Sequence, residues 1–371
     1  MTKSDVIRDI EVKVIELPLK KQWKIALYAA KTRPHAVVRI RTENGVVGYG
    51  EVSPSPAFMG ETGYTAELAI NKYLAQAIRG ADIYDLETIH AKMNSAIYGN
   101  YAAKSAVDIA IHDCIGKTLG VPVYKLLGGA ARKSAELSWV VGMQDVEGSI
   151  AEAKHYVGLG YKVIKIKVGI SPEQDYRVVK GIREALGDAV ALRLDANQGY
   201  DFRTAVEVFS RIEQFNLESI EQPVRRWDIE GMKYVRSRLK TPIMADESVS
   251  SLHEVMTVIR EQAADLVNLK VGKVGGLHIA KKIAAALEIA GMTATAGSNL
   301  EVGIGSAASV HFVLSADNLS VPHDMMIGGP LHEYDLITSG LTVTNGMVSC
   351  SEAPGLGVEV DDTAIFDKAG R

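Results

Sequence analysis

Between Ala135 and Asp324, short apolar runs recur along the chain: "AELSWVVG", "VIKIKVG", "VALRLDAN", "LESIEQP", "PIMADES", "DLVNLKVG", "MTATAGSN" and, more weakly, "NLSVPHD". Most are separated by stretches with apolar residues at helical spacing, such as "SPEQDYRVVKGIREALG" and "GLHIAKKIAAALEIAG". The step is about 25 residues, the length of one βα unit. Parallel strands joined by crossover helices form either an open doubly wound sheet or a closed barrel. An open nucleotide-binding sheet requires a glycine-rich turn after its first strand, and "VGMQDVEGS" is not one. The pattern predicts a (β/α) barrel.

Upstream, "IRDIEVKVIELPL" and "AVVRIRTENGVVGYGEV" alternate as strands do, with Asn44-Gly45 as a hairpin turn. From Glu67 to about Leu127 the spacing turns helical, and "AAKSAVDIAIHDCIGKTLG" ends on Gly120, followed by Pro122. "LLGGAARKS" has the composition of a hinge. The expected organisation is an α+β unit over residues 1–130, a barrel over 131–330 and a terminal segment over 331–371.

In a barrel, alternate strand residues point inward and the strands' C-terminal ends form the active face. Parity puts Lys165 and Lys167 on one face, with Ile164 and Ile166 opposite. Arg193 and Asp195 share a face, Glu221 is the last inward residue of "SIEQ", and Met244 faces in with Asp246, as Asn268 does with Lys270. Five successive strands thus end on an ionisable group: Lys167, Asp195, Glu221, Asp246 and Lys270, in steps of 28, 26, 25 and 24 residues. A single Asp or Lys at a strand end is ordinary solvation, but five in register with the strand repeat mark a site. Because a buried unpaired ammonium costs several kcal/mol, Lys165 and Lys167 are expected to face a polar, solvated, carboxylate-lined mouth.

Composition narrows the function classes. With 371 residues, 47% hydrophobic, the chain buries a large core and has room for more than one domain. A net charge of −4 without a basic block excludes nucleic-acid binding. No apolar run reaches the roughly 18 residues of a membrane span. The start "MTKSDVIRDIEVKVIELPL" carries acidic residues and strand-like alternation in place of a signal-peptide core. Two cysteines, Cys114 and Cys350, are too few for a disulfide framework and are expected as free thiols. The expectation is a soluble cytoplasmic protein with neither nucleic-acid nor membrane partners.

Asp195, Glu221 and Asp246, with no His or Cys among them, form a hard oxygen set that suits Mg²⁺, with Mn²⁺ as a substitute. Without a cation they repel one another and at least one stays protonated. A flanking lysine acts as a base when its pKa falls toward neutrality, which a neighbouring ammonium and a divalent cation promote. Such a site can abstract a proton beside a carboxylate, with the cation and Lys165 stabilising the enolate that forms. An aldolase using a Schiff-base lysine needs no metal, and three carboxylates around the lysines argue against it. A non-catalytic binding protein would have no physical reason to keep every charged group.

These residues resemble the enolase superfamily, and its muconate-lactonizing (muconate cycloisomerase) subgroup in particular, over nearly the whole chain. The Lys-x-Lys of the second strand is Lys165-Ile166-Lys167, the metal ligands fall on Asp195, Glu221 and Asp246, and the sixth-strand lysine is Lys270 in "KVGKVGG". The subgroup's Gly-x-x-Leu-Glu-x-Gly-Ile-Gly run is "GSNLEVGIG", and no His-Asp pair of the mandelate-racemase type is present on the sixth and seventh strands. The resemblance implies an α/β fold: a modified (β/α)7β TIM barrel with an α+β capping domain formed by the N-terminal region and the C-terminal tail "MVSCSEAPGLGVEV". It implies Lys165, Lys167 and Lys270 as catalytic residues, Mg²⁺ as cofactor, a small carboxylate as substrate and a homo-oligomer. Cap loops near Trp23 to Tyr28 and Pro54 to Tyr64 would shape the pocket, making Phe58, Met59, Glu61 and Tyr64 specificity candidates, with Asn197, Ser298, Glu301 and Asp324 as further substrate contacts. Asp324 preceding "GGPL", and the stretch "PSPAFMGET", are similar to cycloisomerases. Dipeptide epimerases carry Asp-x-Asp on the eighth strand, and "DMM" keeps only the first acid. The expected reaction is cycloisomerase-like proton transfer alpha to a carboxylate; racemisation or epimerisation of an N-acylamino acid, dipeptide or proline-type substrate is the alternative.

Overall fold

The computed structural model describes residues 5–327 and 330–367. Three antiparallel strands open the chain: β1 (Ile7–Lys24), β2 (Ala29–Thr42) and β3 (Val47–Val52), in the order β1-β2-β3. The consecutive apolar residues Ala36, Val37 and Val38 on β2 have a physical cause, because both faces of the strand are covered. Ala36, Val38 and Ile40 join a cap core with Ile10, Val12 and the helices behind, while Val37 turns the other way and joins Leu17 in the barrel core. The helix Tyr101–Leu119 lies buried from Ala102 to Gly116. It approaches β3 so closely that a Cβ on Gly48 or Gly50 would strike the helix backbone at Ala110 or Ala106.

The run "AELSWVVG" divides into two strands. β4 (Ala135–Glu136) leaves the barrel to pair with the C-terminal segment, and β5 (Trp139–Val141) begins the barrel. Then follow β6 (Val163–Lys167), β7 (Ala191–Asp195), β8 (Leu217–Glu221), β9 (Ile243–Ala245), β10 (Leu266–Leu269) and β11 (Thr293–Ala296), all parallel and each paired with its sequence neighbour. The weak eighth run forms no full strand. His323 bridges to Leu137 and Asp324 to Gly297, closing the ring between β5 and β11 with Asp324 N donating to Ala296 O at 2.8 Å. Pro322, which has no N–H to give a ladder, helps to explain why this run stays at two bridges. The fold is α/β, a (β/α)7β barrel with a β-rich cap.

The tail returns. β12 (Ile337–Ser339) pairs with β15 (Glu359–Val360), and β13 (Leu341–Thr344) with β14 (Met347–Cys350), which adds β4 to its other edge. Asp362 accepts from Arg39 at 2.6 Å and from Tyr49 at 2.8 Å, so the tail also reaches the cap sheet. Asp108 of the long cap helix receives Leu277 N at 2.5 Å, capping the barrel helix Leu277–Ile289. Cys114 and Cys350 are free thiols, and no helix among the described residues is long and apolar enough to cross a membrane.

Candidate active site

The strand ends deliver the charged groups to one place. β6 and β7 pair in register, setting Lys167 opposite Asp195, and Asp195 in turn sits opposite Glu221 of β8. Asp246 follows β9 by one residue and Lys270 follows β10 by one. The backbone is bent where the loops leave: Asn197, Gln198, Gln222 and Leu300 adopt positive φ, a conformation that non-glycine residues hold only when surrounding structure enforces it.

Lysines and carboxylates interlock there. Lys165 Nζ reaches Glu221 at 2.7 Å, Asp324 at 3.0 Å and Asp195 at 3.1 Å. Lys167 donates to Asp195 at 2.5 Å and to Asn197 at 3.0 Å, and Lys270 donates to Asp246 at 2.5 Å. Lys165 is 3% exposed, so the expected solvated mouth is corrected: ion pairing, not water, satisfies this ammonium. Burial works against its charge, but Asp195, Asp324 and Glu221 outweigh it and hold its pKa well above the ordinary lysine value. Burial likewise opposes the Lys270 ammonium, and Asp246 and Glu221 raise it. At Lys165 and Lys270 the lowering expected for a catalytic lysine is therefore absent while the carboxylates pair with the lysines alone. Burial and then Asp195 push Glu221 well above the carboxylate range. Asp195 is held low despite burial by Lys165 and Lys167, and Asp246 by Lys270 and Lys273.

Among the described residues no three His, Cys, Asp or Glu side chains stand ready-made around a metal position. The donor chemistry nevertheless fits a hard divalent cation. Asp195, Glu221 and Asp246 offer only oxygens from neighbouring strand ends, and the upward push that burial, Asp195 and Asp246 give the Glu221 pKa, against the pull of Lys165, is one that a divalent cation beside the three would oppose.

Above this floor lies a narrow cleft that opens to solvent. Lys165, Lys167, Asn197, Lys270, Ser298 and Asp324 line it, and so does Phe58, whose ring lies 5.3 Å from Lys270 Nζ. Trp23, Ile25 and Tyr28 come from the expected cap loop. Other specificity candidates fall outside. Tyr64 is 55% exposed and donates to Glu16, and Glu61 accepts from Ala102 N and Ala103 N at the start of the long cap helix. Met59 stands behind the wall with Sδ 3.4 Å from Asn299 Nδ2, and Glu301 is buried beneath it, accepting from Asn299 N at 2.7 Å. Gly328 and Gly329 of the "GGPL" run lie outside the described residues.

Sequence reasoning aimed Arg193 and Asn268 inward without giving them a role, and it missed Lys273 and Ser138. Lys273, 1% exposed along its side chain, donates to Asp246 Oδ1 at 2.6 Å and to Asn268 O at 3.2 Å. Its signal was its position one helical turn after Lys270 in "KVGKVGG". Arg193 and Ser138 both donate to Asp324 Oδ1, and Asn268 donates to Glu221 at 3.0 Å. Asn299, Leu300, Val140 and Met326 complete the wall.

Known proteins resemble this chain over nearly its whole length. The family model described as mandelate racemase / muconate lactonizing enzyme, N-terminal domain, matches residues 9–128, and the one described as enolase C-terminal domain-like matches residues 149–364. The chain is 38% identical over 356 residues to an L-Ala-D/L-Glu epimerase of Clostridium acetobutylicum, covering 95% of this chain and 99% of that protein. It is 32% identical over 369 residues to muconate cycloisomerase 1 of Rhodococcus opacus, covering 98% of each. Among solved structures, a dipeptide epimerase from Enterococcus faecalis complexed with Mg and the dipeptide L-Leu-L-Tyr superposes with a TM-score of 0.90 at 34% identity, over 95% of this chain and 99% of that one.

Proposed function

This chain belongs to the enolase superfamily, in its mandelate racemase / muconate lactonizing enzyme family, and on that premise we propose that it moves a proton on and off the carbon beside a carboxylate, racemising or epimerising an amino-acid derivative. The observation that carries the reading is the placement of Lys167 and Lys270. Lys167 ends the second strand and Lys270 follows the sixth in an eight-position ring, on opposite sides, and both line one cleft. A carbon held between them presents one face to each, so one lysine removes the proton and the other returns it to the opposite face.

Asp195, Glu221 and Asp246 would hold a Mg²⁺ ion, which supplies positive charge beside the substrate carboxylate and lowers the acidity barrier of its α-carbon. Lys165, buried on the same wall, contributes a fixed positive charge where the enolate oxygens develop. The apolar surfaces of Trp23, Ile25, Phe58 and Leu300 exclude water from the rest of the substrate. Asp324 has both oxygens engaged, Oδ1 by Ser138 and Arg193 and Oδ2 by Lys165, and the residue two places on is Met326. No open carboxylate therefore greets a substrate ammonium at this wall, which favours a nitrogen that is acylated and neutral.

The same observation keeps cycloisomerisation as the second reading, since a muconate-type acid carries no nitrogen and needs only one lysine as acid or base. Incubation with Mg²⁺ in D₂O separates the two. With N-acetylated L-amino acids, deuterium is expected at the α-carbon of the inverted product, and Lys167→Ala or Lys270→Ala is expected to abolish inversion. Lactonisation of cis,cis-muconate with no α-exchange on any amino-acid derivative would overturn the proposal in favour of the second reading.

A further inference from the structure

We infer that Tyr28 and Asn299, both set in place by Arg33, recognise a secondary amide in the substrate: Tyr28 donates to the amide carbonyl and Asn299 accepts from the amide N–H. This rests on the reading of the chain as an enzyme of acylated amino acids.

Arg33 is 3% exposed on β2, and its donors go to neutral groups of three separate loops. Nε faces Ser53 Oγ at 3.3 Å, and Nη2 reaches Ser53 O at 3.0 Å, Pro54 O at 3.1 Å and Asn299 O at 3.2 Å. Nη1 reaches Tyr28 OH at 3.2 Å. The guanidinium thus fixes the backbone that carries Asn299 and the hydroxyl of Tyr28, across 266 residues of sequence.

The chemistry of each end follows from what is left unpaired. Tyr28 OH uses a lone pair to accept from Arg33, and its own proton meets no acceptor among the described hydrogen bonds. A phenol that accepts from a guanidinium is polarised toward donating. Asn299 gives its Nδ2 to Met59 Sδ at 3.4 Å, while its Oδ1 is buried with no donor. Both residues line the cleft that contains Lys167 and Lys270. An unused donor and an unused acceptor, amid apolar side chains, complement the one acceptor and one donor of a secondary amide. A buried carbonyl left without a donor is a standing penalty that a ligand N–H removes. A charged substrate group would find no such match, because Arg33's donors are already engaged.

Three probes test this, bound by calorimetry to the full chain at saturating Mg²⁺: N-acetyl-L-phenylalanine, its ester analogue 2-acetoxy-3-phenylpropanoate, and 3-phenylpropanoate. The amide keeps both partners, the ester loses the N–H, and the bare acid loses both. Wild type is expected to bind the amide at least tenfold more tightly than the bare acid. Tyr28→Phe should weaken the amide and the ester about tenfold and leave the bare acid unchanged. Asn299→Ala should weaken only the amide. As a positioning residue, Arg33 replaced by Met should lower amide and ester affinity as Tyr28→Phe does, and Arg33→Lys should restore part of it. Equal losses on all three probes would show a merely structural role, and no loss from Tyr28→Phe would remove the site even if the Arg33 variants fail to fold. Failure of the enzymatic reading looks different: it is the absence of α-deuteration in wild type, whatever the probes bind.

Discussion

Replacing Glu51 by Gln should remove a pH dependence that this one side chain imposes on the folded protein. Glu51 lies fully buried on β3, where Oε1 accepts from Val302 N at 2.8 Å and lies 2.8 Å from His35 Nδ1, and Oε2 accepts from Gly305 N at 2.8 Å. Burial pushes its pKa up from an ordinary 4.5 to about 7, although the Gly305 and Val302 amides pull against that rise. A carboxyl raised in this way binds its proton more tightly folded than unfolded. Its contribution to stability is complete below pH 4.5 and is lost as the pH climbs through 7. Between pH 5 and pH 8 the loss comes to about 2.5 kcal/mol, from a pKa difference of roughly 2.5 units at 1.36 kcal/mol each, less the portions outside the window. His35, held at about 3 by burial and by Arg33, stays neutral in the folded state throughout that window. The assay is urea unfolding at pH 5, 6, 7 and 8, taking wild type minus Glu51→Gln so that other titrating groups cancel. Gln turns an amide donor toward an N–H, which adds a constant offset and leaves the slope intact. A difference that is flat with pH, or that favours wild type as the pH rises, would refute the reasoning.

Lys273→Met should destabilise the fold by about 3–5 kcal/mol, because it strips a buried partner from Asp246; adding Asp246→Asn should recover part of that loss in urea unfolding, and additive losses would argue against the pairing. Glu221→Gln removes one charge from the proposed cation site while preserving its shape, so Mg²⁺ affinity measured by calorimetry should fall at least about tenfold, roughly 1.4 kcal/mol. Unchanged affinity would place the ion elsewhere. Sodium borohydride added with substrate should leave Lys165, Lys167 and Lys270 unmodified by mass spectrometry, since the proposed chemistry forms no imine.

The parts of the site that repeat with the strands were legible in the sequence. Strand parity is a strict period of two, so Lys165, Lys167, Asp195, Glu221, Asp246 and Lys270 could be aimed inward from spacing alone, and they do converge. The cap gave a weaker signal, because loops have no period. Phe58 reached the cleft while Tyr64, six residues later and just as plausible in sequence, turned to Glu16. Glu61 looked available for a substrate, yet helix N-termini also seek carboxylates, and the start of the long cap helix took it. Arg33 carried no sequence signal at all, since its partners are mostly backbone carbonyls that every residue has. The eighth strand was weak in the sequence and is weak in the structure for the same reason, a proline before the two residues that close the ring.

The short strand β4 depends on a partner made much later. Its Ala135 and Glu136 pair with Val348 and Met347, 211 residues apart for the second pair, and nearby Val123 N and Asp113 Oδ1 meet Gly355 O and Leu356 N. During synthesis the cap helix and this edge therefore emerge without the segment that completes them, and closing so long a loop is slow. Until Met347 and Val348 arrive, an open strand edge is offered to any neighbouring chain. Met347, Val348, Gly355 and Leu356 are thus a lock on the edge where cap and barrel meet, and a chain cut short of Met347 would carry all its strand-end lysines and carboxylates on a fold with that edge open.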